Sequence, residues 1–316
     1  MARHLACILL VLFLAPSFAM GHGDNQFAQQ LSWQEQIPWL SLTLGGSKLN
    51  SEITVEVELG PASSMGARQP WPALEEVSAC ATPPEGASLF STTLSVTGML
   101  RNHRYTEGLW LDQFGRPEKR IRYNQESDDL WLKEYCWENT GMRRSKLSPA
   151  KPNEHLLLPT GWTLKSDSWY PFPEKAAQCV AMSDPALLIA IASDLAQQQQ
   201  ESLSLCVFGR QHLFRLDIAR ETTQLLAPLM VSYTITQSSQ ALGQQEQRQA
   251  QVEPLVYRIN AQDLHATKRR ENFSLMGLVD EIRLYIDPAT YLPIRLSGKA
   301  GMIGKVELNL RKVHLK

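Results

Sequence analysis

Apolar and polar positions alternate with a period of two through much of this chain. Ile53-Thr-Val-Glu-Val-Glu-Leu59 sets aliphatic side chains on one face and carboxylates on the other, which is the pattern of a half-buried strand. Shorter runs of the same kind lie at 91–99, 130–137, 203–208, 212–218, 229–236 and 255–259. Two longer stretches, 109–123 and 282–310, share one grammar of strand, Asp, short turn, Pro and basic strand. Each predicts an antiparallel joint in which Asp112 or Asp287 caps its own backbone two residues on. Helical spacing is convincing in one place. Asp184 is placed as N-cap and Pro185 as first helical residue, and Leu187, Leu188, Ile191 and Leu195 then recur along one stripe toward the Gln197–Gln200 run. The pattern predicts a β-rich α+β fold of roughly eleven to thirteen strands. The sheet is large, antiparallel and curled into a half-barrel or open barrel, with one main covering helix.

Punctuation divides the rest. Residues 1–19 have the layout of a cleavable signal peptide: Arg3 and His4, an apolar run, then Ser17-Phe-Ala19, with a second cleavage point after Gly21. Cys7 precedes the apolar run, so it reads as part of that signal and not as a lipid-acceptor site. Residues 20–36 form a polar, Gln-rich arm, and 37–316 read as a single domain with long loops at 60–84 and 237–251. No later run is long enough to span a membrane. These features predict export to the periplasm without a transmembrane segment in the mature chain.

Composition narrows the classes. Apolar residues make up 43 %, enough for a core, and the formal charge of −1 removes any general electrostatic case for nucleic acid. In an oxidising compartment Cys80, Cys136, Cys179 and Cys206 are expected to form disulfides, and four cysteines allow three connectivities. Cys80–Cys136 with Cys179–Cys206 is favoured because nearer pairs are less constrained. The seven histidines show no HxH, HExxH or i, i+4 pair, so no metal ligand is nominated. No GxSxG elbow, cysteine-nucleophile signature or Gly-rich phosphate loop occurs, so no cofactor is expected. Ser148-Pro-Ala-Lys151 lies between prolines in a loop, and Asp128-Asp129 sits at a hairpin tip. The chain is therefore expected not to be an enzyme.

Asp184-Pro-Ala-Leu-Leu, Leu203-Ser-Leu-Cys-Val-Phe-Gly-Arg-Gln-His-Leu-Phe-Arg-Leu216, and Leu284-Tyr-Ile-Asp-Pro-Ala-Thr-Tyr-Leu-Pro-Ile-Arg-Leu296 with the later Gly304-Lys-Val-Glu-Leu together resemble the exported bacterial family catalogued as domain of unknown function 3108. The resemblance extends over most of 90–316 and departs from the family in the 60–84 loop, the Gln-rich insertion and the four cysteines. That family has no settled activity. By analogy with envelope lipoprotein carriers, it implies a half-barrel around an apolar cavity with helices as a lid. The expected function is thus the binding or carriage of an apolar, lipid-like ligand, with Leu187, Leu188, Ile191, Leu195, Trp162 and Trp169 against it. The alternative is an envelope structural protein that docks a partner protein through a strand edge or loops.

Overall fold

A computed structural model describes residues 36–65, 80–98, 102–126, 129–222, 227–237, 245–265 and 271–316. The expected signal peptide, nearly all of the arm and the middle of the 60–84 loop lie outside the described residues.

Seventeen strands form one sheet among the described residues. The N-terminal group is β1 (Trp39–Lys48), β2 (Ser51–Pro61), β3 (Ser88–Gly98), β4 (Asn102–Leu111), β5 (Pro117–Glu126), β6 (Asp129–Glu138), β7 (Gly141–Ser148) and β8 (Thr163–Pro171). It is an antiparallel meander, each strand pairing with the next. A two-residue strand β9 (Met182–Ser183) leads into helix α1 (Leu188–Gln197), and β10 (Ser202–Phe208) and β11 (Leu213–Arg220) follow as a hairpin. The chain closes with β12 (Leu229–Gln237), β13 (Gln245–Val252), β14 (Leu255–Asp263), β15 (Asp280–Ile286), β16 (Pro293–Ala300) and β17 (Gly304–Leu315). β14 pairs with β11, then β14 to β17 run as a second meander, and β17 joins β1. The β12–β13 hairpin attaches in parallel to the last residues of β17.

The sheet curls until its ends meet without closing. The ring of Tyr170 on β8 packs 6.0 Å from that of Phe208 on β10, yet no backbone ladder joins these strands among the described residues. Helix α1 fills one side of the curl. Asp184 Oδ1 accepts the Ala186 N–H at 2.9 Å and caps a tight turn at Pro185–Leu187 that runs into α1. Every residue from Leu188 to Ala196 is buried, as expected of a helix apolar nearly all round. It lies against β15 and β16 in the main core.

Both Asp turns form as expected. Asp112 Oδ1 accepts from the Phe114 and Arg116 amides, and Asp287 Oδ1 accepts from Ala289 N–H. Cys80 is bonded to Cys136 and Cys179 to Cys206, the favoured pairs. One expectation needs correction. The 237–251 segment, expected as a loop, contains strand β13 at Gln245–Val252, because β12 supplies a full antiparallel ladder. Strand β8 lies outside the runs that alternate in the sequence, and its prolines stand at or beyond its ends.

Candidate functional site

Strands β4 to β7 have an inverted amphipathic arrangement. Their outward side chains make a small apolar core, in which Ile121, Leu132 and Leu147 pack with Trp162. Inward, Leu109 and Leu111 of β4 join the main core, while the side chains of β5 are polar and charged: Arg120, Arg122, Asn124 and Glu126, alternating with Ile121 and Tyr123. Cross-strand register lines up Thr92, Glu107, Arg122, Lys133 and Lys146 as one row over five strands. The neighbouring row is Leu94, Tyr105, Asn124 and Trp131.

Facing these rows across the curl are Pro185 and Ala186 before α1, the β10–β11 turn at Gly209 and Arg210, and the loop 271–277. Between them lies a cavity of about 490 Å³. The facing wall is held in place by hydrogen bonds. Glu271 accepts the backbone N–H groups of Arg210, Gln211 and His212 at 2.7, 2.9 and 3.1 Å. Leu275 and Leu278 exchange two backbone hydrogen bonds of 2.9 Å around Met276 and Gly277. Both central residues have positive φ, 50° and 86°, as a type I′ turn requires. Gly209 is approached closely by the Phe214 ring and the Glu271 carboxylate, so a larger residue there would displace one of them.

At the cavity floor Arg120 joins the two walls. Its guanidinium donates to Asp184 Oδ2 at 2.8 Å, to Phe208 O at 3.1 Å and to Gly209 O at 2.7 Å. It also stacks 4.2 Å from the Tyr135 ring centroid. Asp184 is fully buried, and burial pushes its carboxyl up to about 6 although Arg120 opposes the rise. Arg122 donates to the Tyr105 hydroxyl, which in turn donates to Glu107 at 2.7 Å. Burial, with Glu107 adding to it, holds the Tyr105 hydroxyl well above its ordinary value, against the pull of Arg122.

Lys133 and Lys146 differ from these groups. Neither makes an ion pair with a carboxylate among the described residues, and Lys133 instead lies 4.0 Å over the Trp131 ring. Burial lowers the Lys133 ammonium to about 8, helped by the positive charges of Arg122, Arg144, Lys146 and Arg210.

None of the six side chains nominated for ligand contact lines this cavity. Leu187, Leu188, Ile191 and Leu195 are spent on the main core, because the sheet itself covers the helix stripe. Trp162 packs on the outer side of β5, its ring 6.1 Å from that of Tyr123, and Trp169 is 45 % exposed on β8.

A second cluster escaped sequence reasoning because His212 lies 51 residues from Asp263 along the chain. His212 Nδ1 is 2.7 Å from Asp263 Oδ2, and the His212 and His265 rings stack at 4.6 Å. Burial opposes the Asp263 charge, but hydrogen bonds from His212 and the His265 amide hold its carboxyl below the usual range. His265 Nδ1 already accepts the Leu213 N–H at 3.1 Å, and burial lowers its pKa, with His212 acting in the same direction. Nδ1 of both histidines and both oxygens of Asp263 are thus engaged within the cluster or by neighbouring backbone.

No family model matches the chain, and no curated protein matches it. Among solved structures it is similar to the crystal structure of a beta-barrel-like protein of Domain of Unknown Function DUF1849 from Brucella abortus. The identity is 9 % and the TM-score 0.40, over 87 % of this chain and 95 % of that one. The resemblance to the 3108 family therefore rests on the quoted segments alone.

Proposed function

We propose that this chain is an exported, non-catalytic binding or carrier protein that holds a small amphiphilic molecule inside its curled sheet. One observation carries the proposal. Strands β4 to β7 turn charged side chains inward where a core would lie, and the space left, about 490 Å³, falls within the range of small-molecule sites, ~300–1,000 Å³. The wall is mixed: Leu94, Leu275, Met276 and Trp131 offer apolar surface beside the charges. This shifts the expected ligand from a purely apolar lipid to one with a polar end. A non-catalytic role is supported by how firmly Arg120, Arg122, Glu107 and Asp184 are tied to one another. Two disulfides fit an oxidising, non-cytoplasmic compartment, and no helix of the described residues is long and apolar enough to cross a membrane. The resemblance to the exported 3108 family supports the periplasm as that compartment.

The test is native mass spectrometry of protein purified from its own envelope. A reproducible co-purifying small molecule, released on unfolding, is expected. Its absence, together with failure to bind any fluorescent fatty acid, would end the proposal.

A second reading has its own observation. β8 pairs on one side only among the described residues; its own Leu164 is 57 % exposed, and Leu156 and Leu158 just before it are 90 and 63 % exposed. Such an edge suits strand addition by a partner protein. Crosslinking in cells from a photoreactive residue at Leu164 should then capture an envelope protein, and no specific adduct would count against it.

A further inference from the structure

The geometry points to an anion as the polar end of the ligand, a carboxylate or phosphate held by Lys133 and Lys146 inside the curl. This assignment rests on the binding role proposed above. In an antiparallel sheet, directly opposite side chains have Cβ atoms about 4.5–5.5 Å apart, and like charges there are destabilising. Here Arg122 faces Lys133 and Lys133 faces Lys146, so three cations stand abreast on neighbouring strands. Only the end of the row is neutralised, where Glu107 lies opposite Arg122, 3.3 Å from its Nε. The other carboxylates of the cavity point their oxygens elsewhere. Glu271 is taken by three backbone amides, Asp129 accepts from Trp131 Nε1 at 3.0 Å, and Glu126 lies 3.3 Å from His103 Nδ1.

Two ammonium groups without a carboxylate partner among the described residues are therefore held at the wall of a concave space, with Arg210 on the opposite wall. A structural role would be served better by any neutral pair. An anion entering between the walls meets unpaired donors and relieves the repulsion along the row. Both effects favour binding without any rearrangement of the sheet. The chain portion of an amphiphile would then lie along Leu94, Leu275 and Met276, which border the same space.

Calorimetric titration of the full exported chain tests this with four probes: dodecanoate, dodecyl phosphate, dodecanol and inorganic phosphate. Both anionic amphiphiles should bind about tenfold or more tightly than dodecanol, since each charge-assisted hydrogen bond accounts for about that factor. K133M/K146M should lose about a hundredfold for the anions and almost nothing for dodecanol, by the same reckoning. K133R/K146R should retain anion binding, and K305M, a change at an exposed lysine outside the cavity, should leave it unchanged. Inorganic phosphate binding as tightly as dodecyl phosphate would still support an anion site and identify a free anion as the ligand. Equal binding of dodecanol and dodecanoate, unaffected by K133M/K146M, would overturn the anion assignment and leave the binding role standing. No binding of any probe overturns the assignment, and the co-purification measurement then decides the binding role separately.

Discussion

Two rows of side chains run across this sheet in register. On β15, β16 and β17 the row is Leu284, Leu296 and Leu308, all buried in one core with helix α1. On β4 to β7 it is Glu107, Arg122, Lys133 and Lys146, facing an unfilled space. Both rows obey the same period of two and the same antiparallel ladder. The first spends its inner face on the protein's own helix. The second pushes its apolar side chains outward, under Trp162, and lines a cavity with its charged inner face. On the function proposed above, the comparison separates a face that stabilises from a face that is kept for binding, and substitutions should reveal the difference.

The joint between the halves should be the most sensitive point. Arg120→Met leaves Asp184 buried without its partner, and such a break costs about 3–5 kcal/mol. Urea unfolding should show this, and a loss near zero would mean that the clamp does not hold the walls together. In the apolar half, Leu188→Ala should cost about 2–5 kcal/mol while leaving ligand affinity of the folded fraction unchanged. Removing the bridge that anchors β10 with C179S/C206S should cost about 3–4 kcal/mol for a loop of 27 residues. Equal midpoints with and without the bridge would contradict that.

The pH dependence of the joint has a defined sign. Asp184 titrates at about 6 in the fold, above an ordinary carboxylate, so between about pH 4 and 6 the folded chain holds a proton that the unfolded chain has released. Its contribution to stability is thus complete below about pH 4 and is lost as pH rises through 6. Asp184→Asn should flatten that segment of the stability curve, and parallel curves for the two proteins would contradict the assignment.

Much of this architecture was legible from local chemistry. Asp112 and Asp287 announced their turns, and Asp184-Pro185 announced the helix start. β8 and β13 were not legible. Their sequences, Thr-Leu-Lys-Ser-Asp-Ser-Trp-Tyr-Pro and Gln-Glu-Gln-Arg-Gln-Ala-Gln-Val, carry no clean apolar face, and a neighbouring ladder makes them strands. The site was missed for a different reason. Alternation on β5 separates Arg120, Arg122 and Asn124 from Ile121 and Tyr123, but it does not say which set turns inward. That choice depends on Trp162 covering the outer face, a long-range fact. A signal was nevertheless present. Pairing 117–126 with 129–138 as a hairpin places Arg122 opposite Lys133, a repulsion that a purely structural sheet would avoid.

The most direct measurement sets stability against binding in one variant. K133M/K146M removes two charges from a row of three and should leave the urea midpoint unchanged or raise it, because residues kept for binding commonly cost stability. The same protein should lose dodecanoate. A lowered midpoint with dodecanoate binding intact would show that these lysines support the fold, and that the charged half of the curl is not a binding face.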